Sequence, residues 1–273
     1  MNSKLKNYLI AVDLDDTLVT GFDNYDIKSF ELLKSLSKDN YIVIATGRPL
    51  RSSIYYYNLL NLNTPLINYN GALVHNPKDK NFPKNSIIVP KEWVIKILED
   101  NKDMLINIFC EIEDDIFLYK EQKDIDPYLH LDGGTLHTGD FKETLYGNPN
   151  GAILFSKLGS EKTLEDYINK TFQGQLKIRF WDDKNYVVSE VYNPKTTKGN
   201  GIKQIIEYYN IDKEKTIAIG DGHNDIELFQ EVNIKVAMEN AHPDLKAIAN
   251  YITRTTKENG VYHFLNDYIN KKA

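Results

Sequence analysis

Two aspartates one residue apart, Asp13 and Asp15, lie near the start of the chain in Asp13-Leu14-Asp15-Asp16-Thr17. Along extended backbone alternate side chains lean the same way, so both carboxylates can aim at one space while Leu14 turns inward. Carboxylates so aimed repel each other unless a cation or a proton lies between them. The pattern therefore calls for a metal before it calls for a reaction. Further candidates sit far along the chain: Thr46 in Thr46-Gly47-Arg48-Pro49, Lys198 in Lys198-Gly199, and Asp221, Asn224 and Asp225 in Gly220-Asp221-Gly222-His223-Asn224-Asp225. Their carboxylate, hydroxyl and amide oxygens suit Mg²⁺, which takes few carboxylates, several waters and a substrate phosphate. His223 is the one His or Cys in these loops, which disfavours zinc. Lys198, Thr46 and loop amides offer donors to phosphate oxygens, and the whole set describes a phosphoryl site. A P-loop is excluded, because no Gly-x-x-x-x-Gly-Lys-Ser/Thr segment occurs.

Each cluster alone has an ordinary explanation. Asp-x-Asp is common turn chemistry, Thr46-Gly47 can simply end a strand, Lys198 can be an exposed lysine, and Asn224-Asp225 makes a helix N-cap. What favours function is the occurrence of all four in order, each just after a strand or at the opening of a helix.

The elements that must position them follow from periodicity. Tyr8-Leu9-Ile10-Ala11-Val12 is an apolar run of buried-strand type, and the carboxylates begin where it ends. Asp26–Ser37 is apolar at Ile27, Phe30, Leu33 and Leu36, a helix, and Tyr41–Ala45 is a second buried strand. Strand, helix, strand at this spacing makes a βαβ unit with a parallel sheet, and ligands sit at the carboxyl edge of such sheets. A helix over Arg51–Leu60, a short strand over Pro65–Asn68 and a turn at Asn70-Gly71-Ala72 follow.

The rhythm then changes. A helix is expected over Trp93–Leu98, strands over Leu105–Glu111 and Ile116–Tyr119 around a turn at Glu113-Asp114-Asp115, and another strand over Ala152–Phe155. A helix over Leu164–Phe172 and a hairpin of Leu176–Trp181 with Tyr186–Val191 around Asp182-Asp183-Lys184-Asn185 complete a separate α+β module. Glu121–Asn150, rich in Gly, Pro, Asp and His, receives no element; long loops of this kind are functional or disordered. His130 and His137 lie in it without tight ligand spacing, so a solvated loop is favoured over a metal site.

From Lys198 the α/β pattern resumes, with a helix over Gly201–Tyr209, a strand over Thr216–Ile219, a helix over Asp225–Glu231, a strand over Lys235–Met238 and a helix over Pro243–Ala249. The fold class is thus α/β with a parallel-sheet core, residues 1–86 and 189–273, interrupted by an α+β insert, residues 87–188.

Composition agrees. The 273 residues are 41% hydrophobic and 26% charged, as in soluble globular proteins, and no stretch approaches the roughly 20 apolar residues of a membrane span. Met1-Asn2-Ser3-Lys4 leads into no signal-peptide core, so a cytoplasmic protein is expected. The net charge of −6 and the lack of a basic block exclude nucleic acid as a favoured partner. Cys110, the single cysteine, excludes an internal disulfide and reads as a small buried hydrophobe.

The motifs named above, with Val236-Ala237-Met238-Glu239-Asn240-Ala241, resemble in order those of the haloacid dehalogenase (HAD) superfamily, and most nearly its Cof-type cap-bearing phosphatases. The resemblance covers the sheet domain and extends to the insert only in position and general pattern. It implies a Rossmann-like core with an inserted cap that closes over the site, and a Mg²⁺-dependent phosphomonoester hydrolase of small phosphorylated metabolites such as sugar phosphates. Asp13 would be the nucleophile that forms an aspartyl phosphate, and Asp15 the general acid and base. Asp13, the Asp15 carbonyl and Asp221 would hold Mg²⁺; Thr46, Gly47, Lys198 and Asn224 would bind the phosphoryl group; Asp225 would orient its neighbours. Asp16 stands where many members have Gly. Two alternatives share these motifs, a phosphosugar mutase and a phosphometabolite-binding protein without turnover. Oligomeric state is not legible.

Overall fold

The computed structural model describes residues 5–21, 24–181 and 183–271. Met1 to Lys4, and Asp182 of the second expected hairpin turn, lie outside the described residues. The first stretch of chain holds β1 (Leu9–Val12), β2 (Val19–Thr20), β3 (Asn24–Tyr25), α1 (Ile27–Leu36), β4 (Tyr41–Ile44), α2 (Leu50–Leu59), β5 (Leu66–Asn68), β6 (Leu73–His75) and β7 (Asn85–Ser86). The middle stretch holds α3 (Lys91–Asp100), β8 (Leu105–Ile112), β9 (Asp115–Leu118), β10 (Thr135–Thr138), α4 (Phe141–Thr144), β11 (Gly151–Ser156), α5 (Glu161–Phe172), β12 (Lys177–Trp181) and β13 (Val187–Tyr192). The last holds α6 (Lys198–Tyr209), β14 (Thr216–Gly220), α7 (Ile226–Glu231), β15 (Ile234–Ala237), α8 (Pro243–Ile248), β16 (Tyr251–Ile252) and α9 (Gly260–Lys271).

These form two compact units. One comprises the chain up to Gly47, Ser53–Asn85 and the chain from Thr197 onward; the other comprises Arg48–Ser52 and Ser86–Thr196. Position 189, expected as a boundary, falls within β13, which stays in register with β11 and β12 through Tyr192.

In the first unit a parallel sheet has the order β16-β15-β14-β1-β4. All four residues of β1 are buried, the pattern of a strand covered on both faces. It lies between two parallel partners, with Val12 opposite Ile219 of β14 and opposite Ile44 of β4. That register brings the segments after β1, β4 and β14 to one sheet edge. Asp26 caps α1 by accepting from the Ser29 amide, which explains the helix start at Ile27.

In the second unit the sheet order is β10-β9-β8-β11-β13-β12, antiparallel except for β9 with β10. Its strands alternate cleanly. Ile108 and Cys110 join a cluster with Val94, Ile97, Leu164 and Ile168 of α3 and α5, whereas Phe109 joins Phe155, Val188, Ile125 and Leu129 in a second cluster. Cys110 is free and buried, as its reading as a hydrophobe requires, and burial pushes its thiol well above the ordinary value. Residues 121–150 are a structured segment rather than a solvated loop. They hold a 3₁₀ stretch over Lys123–Tyr128, β10 and α4, and they bury Ile125, Leu129, Phe141 and Leu145. His137 pairs with Asp115 at 3.0 Å and stacks on Phe117, and His130 gives its carbonyl to Arg51. No helix among the described residues is long and apolar enough to cross a membrane.

Candidate active site

Asp13 follows β1 directly, and its amide still donates to Ile219 of β14 at 3.0 Å, so the parallel pairing runs into the first catalytic candidate. Its side chain is buried, and Lys198 Nζ lies 2.7 Å from its Oδ1. The same ammonium lies 2.7 Å from Asp225 Oδ1. Among the described residues no donor reaches Asp13 Oδ2.

Lys198 is the first residue of α6, three residues before the helix start that periodicity indicates. Glycines in the first turn hide that start, and Thr197 supplies it by accepting from the Asn200 amide. Close approach explains the glycines on either side. A Cβ on Gly199 would lie 2.4 Å from the Glu227 carbonyl oxygen, and one on Gly71, at φ +98, would lie 2.1 Å from that of Thr197. The helix end that carries Lys198 is therefore wedged between the turn after β5 and α7.

Asp225 has both oxygens engaged. Oδ1 takes Lys198, and Oδ2 accepts the amides of Asp221 and Gly222 at 3.1 and 3.0 Å. It thereby folds the loop after β14 so that Asp221 projects beside Asp13. Asp221 accepts from Thr17 Oγ1 at 2.9 Å, which ties the two carboxylate loops together directly. Asp13, Asp221 and Asp225 offer oxygens that all lie within 4.8 Å of one another.

The remaining candidates take distinct places. Thr46 is buried at the end of β4, where its amide donates to Ile67 and its carbonyl accepts from Asn70. Gly47 lies against Asn70, whose Oδ1 would be 3.2 Å from a Cβ there. Asn224 Nδ2 donates to Asn70 Oδ1 at 2.8 Å. Asp15 sits exposed on the turn after Leu14 and is not among the clustered carboxylates. Asn70 and Thr17 were visible in the motifs but carried no role; Asn70 links Gly47 to Asn224 from a left-handed turn, φ 54.

The electrostatics follow from crowding. Burial, opposed by Lys198 and reinforced by Asp225, Asp221 and Asp15, raises the Asp13 carboxyl well above its ordinary range. Burial and Asp225 push Asp221 up to about 7. For Lys198 burial opposes the charge, but Asp13 and Asp225 outweigh it and raise the ammonium. One buried cation thus faces three neighbouring carboxylates. Hard oxygens in excess of positive charge, with no thiolate or imidazole in the group, fit a hard divalent cation.

A family model described as haloacid dehalogenase-like hydrolase matches residues 10–265. The chain is 30% identical over 265 residues to the 5-amino-6-(5-phospho-D-ribitylamino)uracil phosphatase YitU of Bacillus subtilis, covering 96% of this chain and 98% of that protein. Among solved structures, a haloacid dehalogenase-like hydrolase from Bacteroides thetaiotaomicron superposes with a TM-score of 0.82 at 22% identity, covering 96% and 100% of the two chains. The HAD subclass IIB sugar phosphatase BT4131 superposes with a TM-score of 0.75 at 24% identity, covering 96% and 99%.

Proposed function

Since this chain belongs to the haloacid dehalogenase-like hydrolase family and is an enzyme of its phosphatase class, we propose that it hydrolyses small phosphorylated metabolites such as sugar phosphates through an aspartyl phosphate, with Mg²⁺. The observation that carries the reading is Asp13: one oxygen is held by the buried Lys198 ammonium, the other has no donor among the described residues, and Asp221 stands alongside.

In this reading Asp13 Oδ2 attacks phosphorus, the bond from phosphorus to the ester oxygen breaks, and Asp15 gives its proton to the departing alcohol. Asp15, now ionised, takes a proton from water as the water oxygen bonds to phosphorus and the bond to Asp13 breaks. Inorganic phosphate leaves, and both aspartates return to their starting states. Lys198 balances charge on Asp13 and on the phosphoryl oxygens, while Thr46, Gly47 and Asn224 bind those oxygens. Asp225 keeps Lys198 and the Asp221 loop in place, because its own oxygens are already occupied. Asp13, Asp221 and the Asp15 carbonyl would hold Mg²⁺, which when bound lowers the repulsion between the anionic nucleophile and the anionic substrate.

The substrate class rests on the family and on the 30% identical relative, whose named substrate carries its phosphate on a ribityl chain. We assign substrate selection to the second unit, as the family's cap, and the cytoplasm as the site of action. A phosphate-release screen over sugar, nucleotide and cofactor phosphates, with and without Mg²⁺, tests the reading. Phosphate should accumulate in proportion to substrate lost, which a mutase would not give, and Asp13→Asn should lose at least about a thousandfold in kcat. Full activity in Asp13→Asn would overturn the mechanism.

A further inference from the structure

The carbonyl oxygen of Asp16 accepts hydrogen bonds from two side chains that arrive from separate loops, Asn240 Nδ2 at 3.0 Å and Thr256 Oγ1. Asp16 is in the left-handed region, φ 52, which a residue other than glycine keeps where the surroundings hold it there. The inner face of the turn is held by its own backbone: the Asp16 amide donates to Val19, and the Leu14 carbonyl accepts from Thr17, Leu18 and Val19. The outer face is held by Asn240 and Thr256.

Both outer groups are themselves anchored. The Asn240 amide nitrogen also lies 3.3 Å from Asp221 Oδ2; both of its partners accept, so only the nitrogen can face them. The Asn240 loop is fixed to the loop after β14 by Met238 donating to Gly220 and His242 donating to Asp221. Thr256 is buried in a 3₁₀ turn whose ends are clasped by the Thr253 hydroxyl on the Gly260 carbonyl at 2.7 Å.

Asp15 directly precedes this held carbonyl. Its side chain is exposed and belongs to the same turn, which Asp15 enters through a bridge to Val19. We propose that Asn240 and Thr256 are positioning residues: by holding the Asp16 carbonyl they aim Asp15 for proton transfer to the leaving alcohol. The inference rests on the acid role given to Asp15 above.

The test measures kcat/KM, which reports transfer of the phosphoryl group to Asp13, in saturating Mg²⁺. It uses 4-nitrophenyl phosphate, whose leaving group needs little protonation, and an alkyl phosphate that the wild type turns over. Thr256→Val and Asn240→Ala are each expected to lose about tenfold on the alkyl ester and about twofold or less on the aryl ester. Thr256→Ser, which keeps the hydroxyl, should restore the wild-type ratio. Circular dichroism and melting establish folding, and Asn240→Ala, at an exposed residue, carries the test if Thr256→Val does not fold. Equal losses on the two esters, or none, while Asp15→Ala remains selective for the alkyl ester, overturn the positioning role and leave the acid role standing. An Asp15→Ala that is itself unselective removes the acid role, and the positioning role with it.

Discussion

The two units differ in how they hold buried charge. In the first, Asp13, Lys198 and Asp225 are buried together at strand and helix ends, with Lys198 and Asp225 side chains fully enclosed. In the second, among the described residues, Lys96–Asp100, Lys162–Asp166, Lys142–Glu99 and His137–Asp115 all have exposed or half-exposed side chains, while Arg51–Glu111 and Arg179–Glu190 are largely buried as one-to-one pairs. Surface pairs contribute little, whereas an uncompensated buried charge destabilises strongly. Burying several carboxylates around one ammonium is a costly arrangement for a fold, as expected of a site kept for a purpose other than stability. The second unit, with its alternating sheet and two apolar clusters, has the organisation of a scaffold with a polar rim.

Removing the buried cation tests this contrast most severely. Lys198→Met should lower hydrolysis of 4-nitrophenyl phosphate at least about a hundredfold and destabilise the fold by about 3–5 kcal/mol, since Asp13 and Asp225 are left without it. The matched change in the second unit, Arg179→Met, breaks the Arg179–Glu190 pair and should alter that hydrolysis by about twofold or less. Comparable losses in turnover would break the contrast.

Chelator and pH give the next largest effect. Burial, then neighbouring carboxylates, raise Asp221 to about 7 and Asp13 well above its ordinary range, so the folded protein keeps protons that the unfolded chain releases near pH 4. Without metal, stability should therefore fall as pH rises from about 4 to about 7. Added Mg²⁺ should raise the melting temperature more at about pH 8 than at about pH 5. A melting temperature that is flat over this range in chelator would remove the crowding argument.

A smaller and more selective change is expected from residues 121–150. Exchange of the exposed part of this segment, with Ile125, Leu129, Phe141 and Leu145 retained, should alter the ranking of metabolite substrates while leaving 4-nitrophenyl phosphate turnover within about twofold. An unchanged ranking would withdraw the segment as a specificity element. The smallest expected signal is a null one in the native state: Cys110, buried and with its thiol pushed up, should resist maleimide labelling until the protein unfolds.

The same contrast governs how much could be read in advance. Strands β1, β4 and β14 were legible because strands covered on both faces are continuous apolar runs, and polar site residues begin where each run stops. Helix starts were less legible: α6 opens at Lys198 because Thr197 caps it, although Gly199 and Gly201 argue against helix there. The chain after Ala249 received no element: β16 has two residues, whereas α9 does carry apolar residues at helical spacing, Val261, Phe264, Leu265 and Tyr268, and was legible but not read. Within 121–150 the short β10 and α4 fall below the length at which periodicity speaks. Of the site, the charged residues were visible as types at strand ends. The residues that hydrogen-bond to the site, Thr17 to Asp221, Asn70 to Asn224 and Thr256 to the Asp16 carbonyl, are ordinary polar residues that only tertiary geometry distinguishes.

The pairing of β1 with β14 has a consequence for biosynthesis. Thr17 and Asp221, joined by a hydrogen bond, are 204 positions apart. During synthesis β1 and β4 leave the ribosome early, yet the second neighbour of β1 does not exist until the whole intervening unit has been made. The second unit is continuous over Ser86–Thr196 apart from Arg48–Ser52, and can close its own sheet first. The nascent protein thus carries an open, apolar half-sheet through most of translation, and the candidate site is among the last parts to form.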